Sequence, residues 1–159
     1  MDGTKSRRRA QLFLENTPNR LRVVHLIRDG RAVANSFRKN RHLDETALPQ
    51  AAVFWNKYID RVDELQSLSN RVDVLTPRDE DLCRTPSSFL SEFFTFLGLE
   101  FEDVLSSPRS DTHVLGNRMR RKFSNVIKED ESWKQDIDAS DQRMLNQMMA
   151  DGLSRFGYL

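Results

Sequence analysis

The chain has 159 residues, 38% hydrophobic and 31% charged, with a formal net charge of +1: enough for one domain around one core. No apolar run approaches the roughly 20 residues that span a bilayer, and the basic start lacks the apolar stretch of a secretory signal. One cysteine, Cys83, excludes an internal disulfide, and no metal-ligand spacing surrounds it or the three histidines; a reducing cytoplasm is the expected compartment.

The first clear element is a short β-branched run containing Val23, Val24, Leu26 and Ile27. It reads as a strand covered on both faces of a parallel sheet. Asp29 and Gly30 break it, and the following RAVANSFRKN winds as a helix. Arg28 thus falls between a strand end and a helix start, where backbone N–H groups and the positive dipole end favour an anion, phosphate above all. Ser36 follows eight residues after Arg28, about two helical turns on, and can add a hydroxyl on the same side. The plainer alternative is that Arg28 only pairs with a neighbouring carboxylate.

Residues 47–69 predict a long helix, with Val53, Phe54, Tyr58, Val62, Leu65 and Leu68 at helical spacing and Lys57, Asp60, Arg61 and Glu64 on the outer face. Trp55 is expected in the core rather than stacked on a ligand. Residues 71–76 predict a second strand, closed by Pro77. Ser87 or Ser88 is expected to cap a helix carrying Phe89, Leu90, Phe93, Phe94 and Leu97 as core, with Gly98 ending it. Residues 106–128 read as an irregular basic loop. Trp133 and a helix over 139–156 then close the domain, with methionines filling gaps in the core.

Charge is segregated along the chain. Residues 1–43 carry 11 Lys+Arg against 3 Asp+Glu, and residues 106–128 carry 6 against 1. A polyanionic nucleotide would be drawn to a cleft built from these two blocks. A solvated basic face or an RNA-binding patch is the alternative, disfavoured because charge runs are weakly specific.

Several segments, in order, resemble one family. VVHLIRDGRAVANSF closely resembles the segment of sulfotransferases that binds the 3′-phosphate of the donor PAPS (3′-phosphoadenosine 5′-phosphosulfate), where an arginine ending a strand and a serine eight residues later hold that phosphate. Arg28 and Ser36 fall on those positions. Asp2-Gly3-Thr4-Lys5-Ser6 resembles the Asp-Ser-Ser-Lys-Ser segment near the sulfuryl group. Residues 74–82 resemble the strand and Arg-Tyr-Glu-Asp-Leu turn, with Asp79 replacing the tyrosine. PSSFLSEFFTFLGLEF resembles the helix that follows. His113 through Arg120 resembles a late His-x-x-x-Gly-Asn-Pro-x-Arg segment, with Arg118 replacing proline, and Trp133 and Phe156-Gly157-Tyr158 resemble the ending.

The resemblance implies an α/β fold, three-layered, with a P-loop-like parallel sheet flanked by helices and truncated at the N-terminus, residues 1–159 forming a single partial domain. It implies sulfuryl transfer from PAPS to an acceptor hydroxyl or amine, without a metal. It assigns Arg28 and Ser36 to the 3′-phosphate, with Asn117 and Arg120 assisting from the late loop, and Lys5 as the catalytic group at the sulfuryl or bridging oxygen. Glu80-Asp81 is then a structural anchor rather than a catalytic pair. The glycine-rich loop for the 5′-phosphosulfate is not found among the six glycines, so impaired transfer is expected. Two other readings stay open: a non-catalytic module that binds adenosine 3′,5′-bisphosphate, and a basic nucleic-acid binder.

Overall fold

The computed structural model describes residues 7–40, 46–101 and 128–159. The chain divides into two compact units, Met1–Asp79 with Asp130–Leu159, and Glu80–Glu129. In the first, helix α1 (Arg7–Asn16) leads into strand β1 (Leu21–Val24), helix α2 (Gly30–Asn40), helix α3 (Ala47–Gln66) and strand β2 (Val72–Leu75). Helices α6 (Trp133–Asp136), α7 (Ala139–Met148) and α8 (Ala150–Arg155) complete it. Helix α4 (Asp79–Arg84) begins at the boundary and helix α5 (Pro86–Leu97) lies in the second unit.

β1 and β2 pair in parallel with Leu21 opposite Val72 and Val24 opposite Leu75. Parallel neighbours need a long crossover, and α2 and α3 supply it. The expected three-layer, P-loop-like sheet is not what forms: 65% of the described residues are helical and 8% lie in strands, with only these two strands in the sheet. The apolar pattern explains the correction. Outside the two short runs at 21–27 and 72–75, the described apolar residues recur at helical rather than alternating spacing. β1 is also less buried than expected: its residues are exposed or half-buried, and Leu26 beyond it is 41% exposed.

α3 forms as expected, but turned about its axis. Its buried face is Ala47, Leu48, Ala51, Ala52, Trp55, Ile59 and Val62, while Val53 and Phe54 are exposed. Alanines at 51 and 52 keep that face slim, which favours close approach of α2. Trp55 is 3% exposed and lies between two glycine backbones. A Cβ at Gly30 would stand 2.9 Å from Trp55 Cδ2 and 2.6 Å from Met149 Sδ; one at Gly152 would stand 2.6 Å from Trp55 Cζ3 and would also collide with Ile59. Neither contact leaves room for a methyl group.

Three arginines fasten this unit's periphery. Arg71 donates to the carbonyls of Leu14, Thr17 and Asn19, closing the end of α1. Arg155 grips the Asp63 carboxylate with two hydrogen bonds, at 2.7 and 2.8 Å, tying α8 to α3. Arg20 does the same with Asp73 at the start of the sheet. The helix expected over 139–156 is two helices: Met149, with φ −111° and ψ 9°, interrupts it and packs into the core at 1% exposure. Asp138 caps α7, accepting from the Ser140 and Asp141 N–H groups.

In the second unit, α5 begins after Thr85 with Pro86 in its first turn, rather than from a serine cap at 87 or 88. Gly98 ends it in the left-handed conformation, φ 69°, as expected. Phe94 packs edge-on against Phe93 and Phe101, yet no residue of α5 is fully buried, so the phenylalanines form a half-covered stripe rather than a sealed core. Arg84 and Glu129 pair through two hydrogen bonds at 2.7 and 2.8 Å.

Gly152→Ala tests the glycine sandwich. Alanine gains about 1 kcal/mol of helix propensity, but forcing a methyl against an immobile indole costs about 1–3 kcal/mol. Urea unfolding should show a net loss of stability; a variant more stable than wild type would contradict this packing.

Candidate functional site

The site is built on the link between β1 and α2. Ile27 continues the sheet as a single bridge to Arg78: its N–H donates to the Pro77 carbonyl at 2.8 Å, and the Asp79 N–H donates to the Ile27 carbonyl at 2.7 Å. Arg28 therefore emerges just past the last paired residue, at the carboxyl end of a parallel strand. Its own carbonyl accepts from Trp55 Nε1 at 3.0 Å, so the core tryptophan fixes the loop that carries the guanidinium.

Arg28 is partly covered, with 28% of its side chain exposed. Its Nη2 donates to Asp130 Oδ2 at 3.1 Å, and its Nε stands 3.9 Å from Asp79 Oδ2. The carboxylate pairing weighed as the plainer alternative is thus present. The Ser132 N–H, the Ser132 hydroxyl and the Arg28 cation hold the Asp130 carboxyl below the usual carboxylate range.

The helix start is also occupied from within. Asp29 Oδ1 accepts from the Arg31 N–H at 2.8 Å, capping α2, while the Arg31 guanidinium binds both Asp29 oxygens at 3.0 and 2.8 Å. Arg31 goes on to Asn146 Oδ1 and the Tyr158 carbonyl, both at 3.1 Å, and lies 4.4 Å over the Trp133 ring. With only 12% of the Arg31 side chain and 10% of the Asp29 side chain exposed, this pair joins α2 to α6, α7 and the end of the chain.

Farther along α2, buried Asn35 donates to Asp136 at 2.8 Å, Lys39 reaches the same carboxylate at 2.6 Å, and Arg38 donates to the Asp136 carbonyl. Lys39 and Asn35 lower the Asp136 carboxyl to about 2. Part of the basic block of residues 1–43 thus serves internal pairing: Arg28 and Lys39 meet acids at 129–159, and Arg7, Arg20 and Arg31 meet Glu64, Asp73 and Asp29.

Of the five residues expected at the site, Arg28 and Ser36 lie on one strand–loop–helix unit, with Ser36 half-buried in α2. Lys5, Asn117 and Arg120 lie outside the described residues. Asp79 and Asp130 were not among the expected site residues. They stand 51 and 102 positions from Arg28, so no local pattern links them to it. The Asp29–Arg31 cap, by contrast, is legible as an Asp two residues before an Arg at a helix start.

His25 lies beside the site, 7% exposed and stacked on Tyr58 with ring centroids 4.1 Å apart. Its Nε2 is buried and has no hydrogen-bond partner among the described residues. Among the described residues, no group of three or more His, Cys, Asp or Glu is placed to hold a metal ion, and no helix is long and apolar enough to cross a membrane. No known family profile, curated protein or solved structure matches the chain.

Arg31→Ala strands the buried Asp29 carboxylate, and breaking a buried pair from one side costs about 3–5 kcal/mol; a loss under 1 kcal/mol in urea unfolding would show the pair to be dispensable. Burial, aided by the Arg61 cation, pushes the His25 imidazole below its ordinary value of 6.5. The folded state therefore prefers the neutral ring, and stability present above pH 6.5 is lost as pH falls towards the lowered folded value. His25→Phe keeps the ring against Tyr58 and should flatten the fall in Tm below pH 6.5; an unchanged slope would assign that fall to other groups.

Proposed function

We propose that this chain is a PAPS-dependent sulfotransferase-type protein of the cytoplasm, whose Arg28 and Ser36 hold the 3′-phosphate of the donor. The observation that carries this reading is the placement of Arg28. It leaves the carboxyl end of a parallel strand, where α/β units bind their ligands, on a loop whose carbonyl is pinned by Trp55. Ser36 follows on the helix that begins two residues later.

The donor set suits a phosphate. A guanidinium binds carboxylate and phosphate oxygens with the same forked geometry, and Asp130 demonstrates an anionic oxygen reaching Arg28 Nη2 at 3.1 Å. When bound, PAPS supplies a sulfuryl group to an acceptor hydroxyl or amine. Arg28 binds and orients the 3′-phosphate, Ser36 donates its hydroxyl to the same group, and the Asp29–Arg31 pair keeps α2 in place behind them. Asn117 and Arg120 add donors for the 3′-phosphate, and Lys5 stabilises the charge that develops on the bridging oxygen.

Calorimetric titration with adenosine 3′,5′-bisphosphate tests the reading. Wild type should bind saturably, Arg28→Ala should abolish binding within the measurable range, and Ser36→Ala should weaken it about 10- to 150-fold, as loss of a hydrogen bond to a charged group does. An Arg28→Ala variant that binds as wild type does would refute it, as would no binding by either folded wild type or the folded Asp130→Asn variant, which lacks the carboxylate that pairs with Arg28.

A further inference from the structure

Arg28 is occupied by an acid of its own chain. Two carboxylates face it, and they are held differently. Asp79 is anchored by its backbone: its N–H donates to the Ile27 carbonyl at 2.7 Å, and it opens α4. It stands 3.9 Å from Arg28 Nε with 35% of its side chain exposed. Asp130 makes the shorter contact, 3.1 Å, yet 55% of its side chain is exposed. It precedes α6 and is tethered by an Asx turn, its Oδ1 accepting from the Ser132 N–H at 3.0 Å.

We propose that Asp130 is an electrostatic latch on the phosphate subsite: its carboxylate occupies Arg28 in the free protein and must swing into solvent before an anionic ligand can take its place. The inference rests on the functional reading above and adds its regulation.

The charges give the latch its consequence. With both acids in place, Arg28 faces two carboxylates, and an approaching anion meets the repulsion of both. With Asp130 turned outward, the repulsion of Asp130 is removed. Asp79 then serves as a positioning residue that keeps the guanidinium aimed while its outer nitrogen changes partner. A doubly charged phosphate competes for Arg28 far better than a singly charged anion of the same size, so the latch also filters ligands by charge. Half-exposure of Asp130 allows the exchange, because a carboxylate returned to water recovers its hydration and loses little.

The test is titration of wild type, Asp130→Asn and Asp151→Asn with adenosine 3′,5′-bisphosphate at one ionic strength, folding being checked by thermal melts. Asparagine at 130 keeps an oxygen for the Ser132 N–H and so spares the turn. Asp151 is exposed in α8, and its replacement controls for the change of net charge. Removing a half-exposed competing pair should tighten binding about three- to fivefold in Asp130→Asn, with Asp151→Asn unchanged within twofold. Binding by Asp130→Asn where wild type is silent would support the latch in a stronger form. Saturable wild-type binding that Asp130→Asn matches or weakens would overturn the latch and leave the functional reading standing. Equal gains in both variants would overturn it too, as a general field effect. Silence from both wild type and Asp130→Asn would overturn the latch and the functional reading together.

Discussion

The first unit depends on one close approach: the Trp55 indole held between the backbones of Gly30 and Gly152. The two glycines make room for the indole by lacking side chains, one at the start of α2 and one within α8. The same indole donates its N–H to the carbonyl of Arg28. Packing in the core thus fixes the backbone of the loop that carries the candidate ligand-binding arginine, and anything that shifts Trp55 shifts Arg28 with it.

Around this wedge, charge is used mainly for fastening. Arg31 closes on Asp29 and reaches the last residues of the chain, Lys39 and Asn35 hold Asp136, and Arg28 meets Asp130. The deepest of these pairs is Asp29–Arg31, which is hydrogen-bonded on both carboxylate oxygens and so avoids the penalty of an unmatched buried charge. Arg28, the one arginine on the link between β1 and α2, meets two carboxylates that water also reaches, Asp130 at 55% and Asp79 at 35% exposure.

How far all this was legible in the sequence differs from one element to the next. The strand–Arg–helix layout at 21–40 was readable because a β-branched run, Asp29-Gly30 and a helical segment follow one another locally. The extent of α3 was readable from its period, but its rotation was not: Phe54 is more hydrophobic than Ala51 or Ala52, yet the alanines face inward because small residues suit a close helix contact. The break at Met149 escaped notice because neither proline nor glycine marks it. The three-layer sheet was expected from the resemblance and a doubly covered strand from the β-branched run, whereas the described residues hold two strands, and β1 is exposed or half-buried. Asp130 could not be found as the partner of Arg28, since a pairing across about a hundred residues leaves no periodic trace. The basic block at 1–43 was visible, whereas the distant acids that pair with Arg7, Arg20, Arg28 and Lys39 became apparent only in three dimensions.

In the proposed function the loop from Arg28 into α2 binds the phosphate of an adenosine bisphosphate. Amide and arginine Nε–H nuclear magnetic resonance spectra of the isotope-labelled protein, recorded as adenosine 3′,5′-bisphosphate is added, test it residue by residue. Shifts should concentrate at Arg28 through Ser36, including the Arg28 Nε–H, together with Asp130 and Ser132 as the acid is displaced. Shifts confined to other surfaces, or an Arg28 resonance that stays unmoved at saturation, would contradict it.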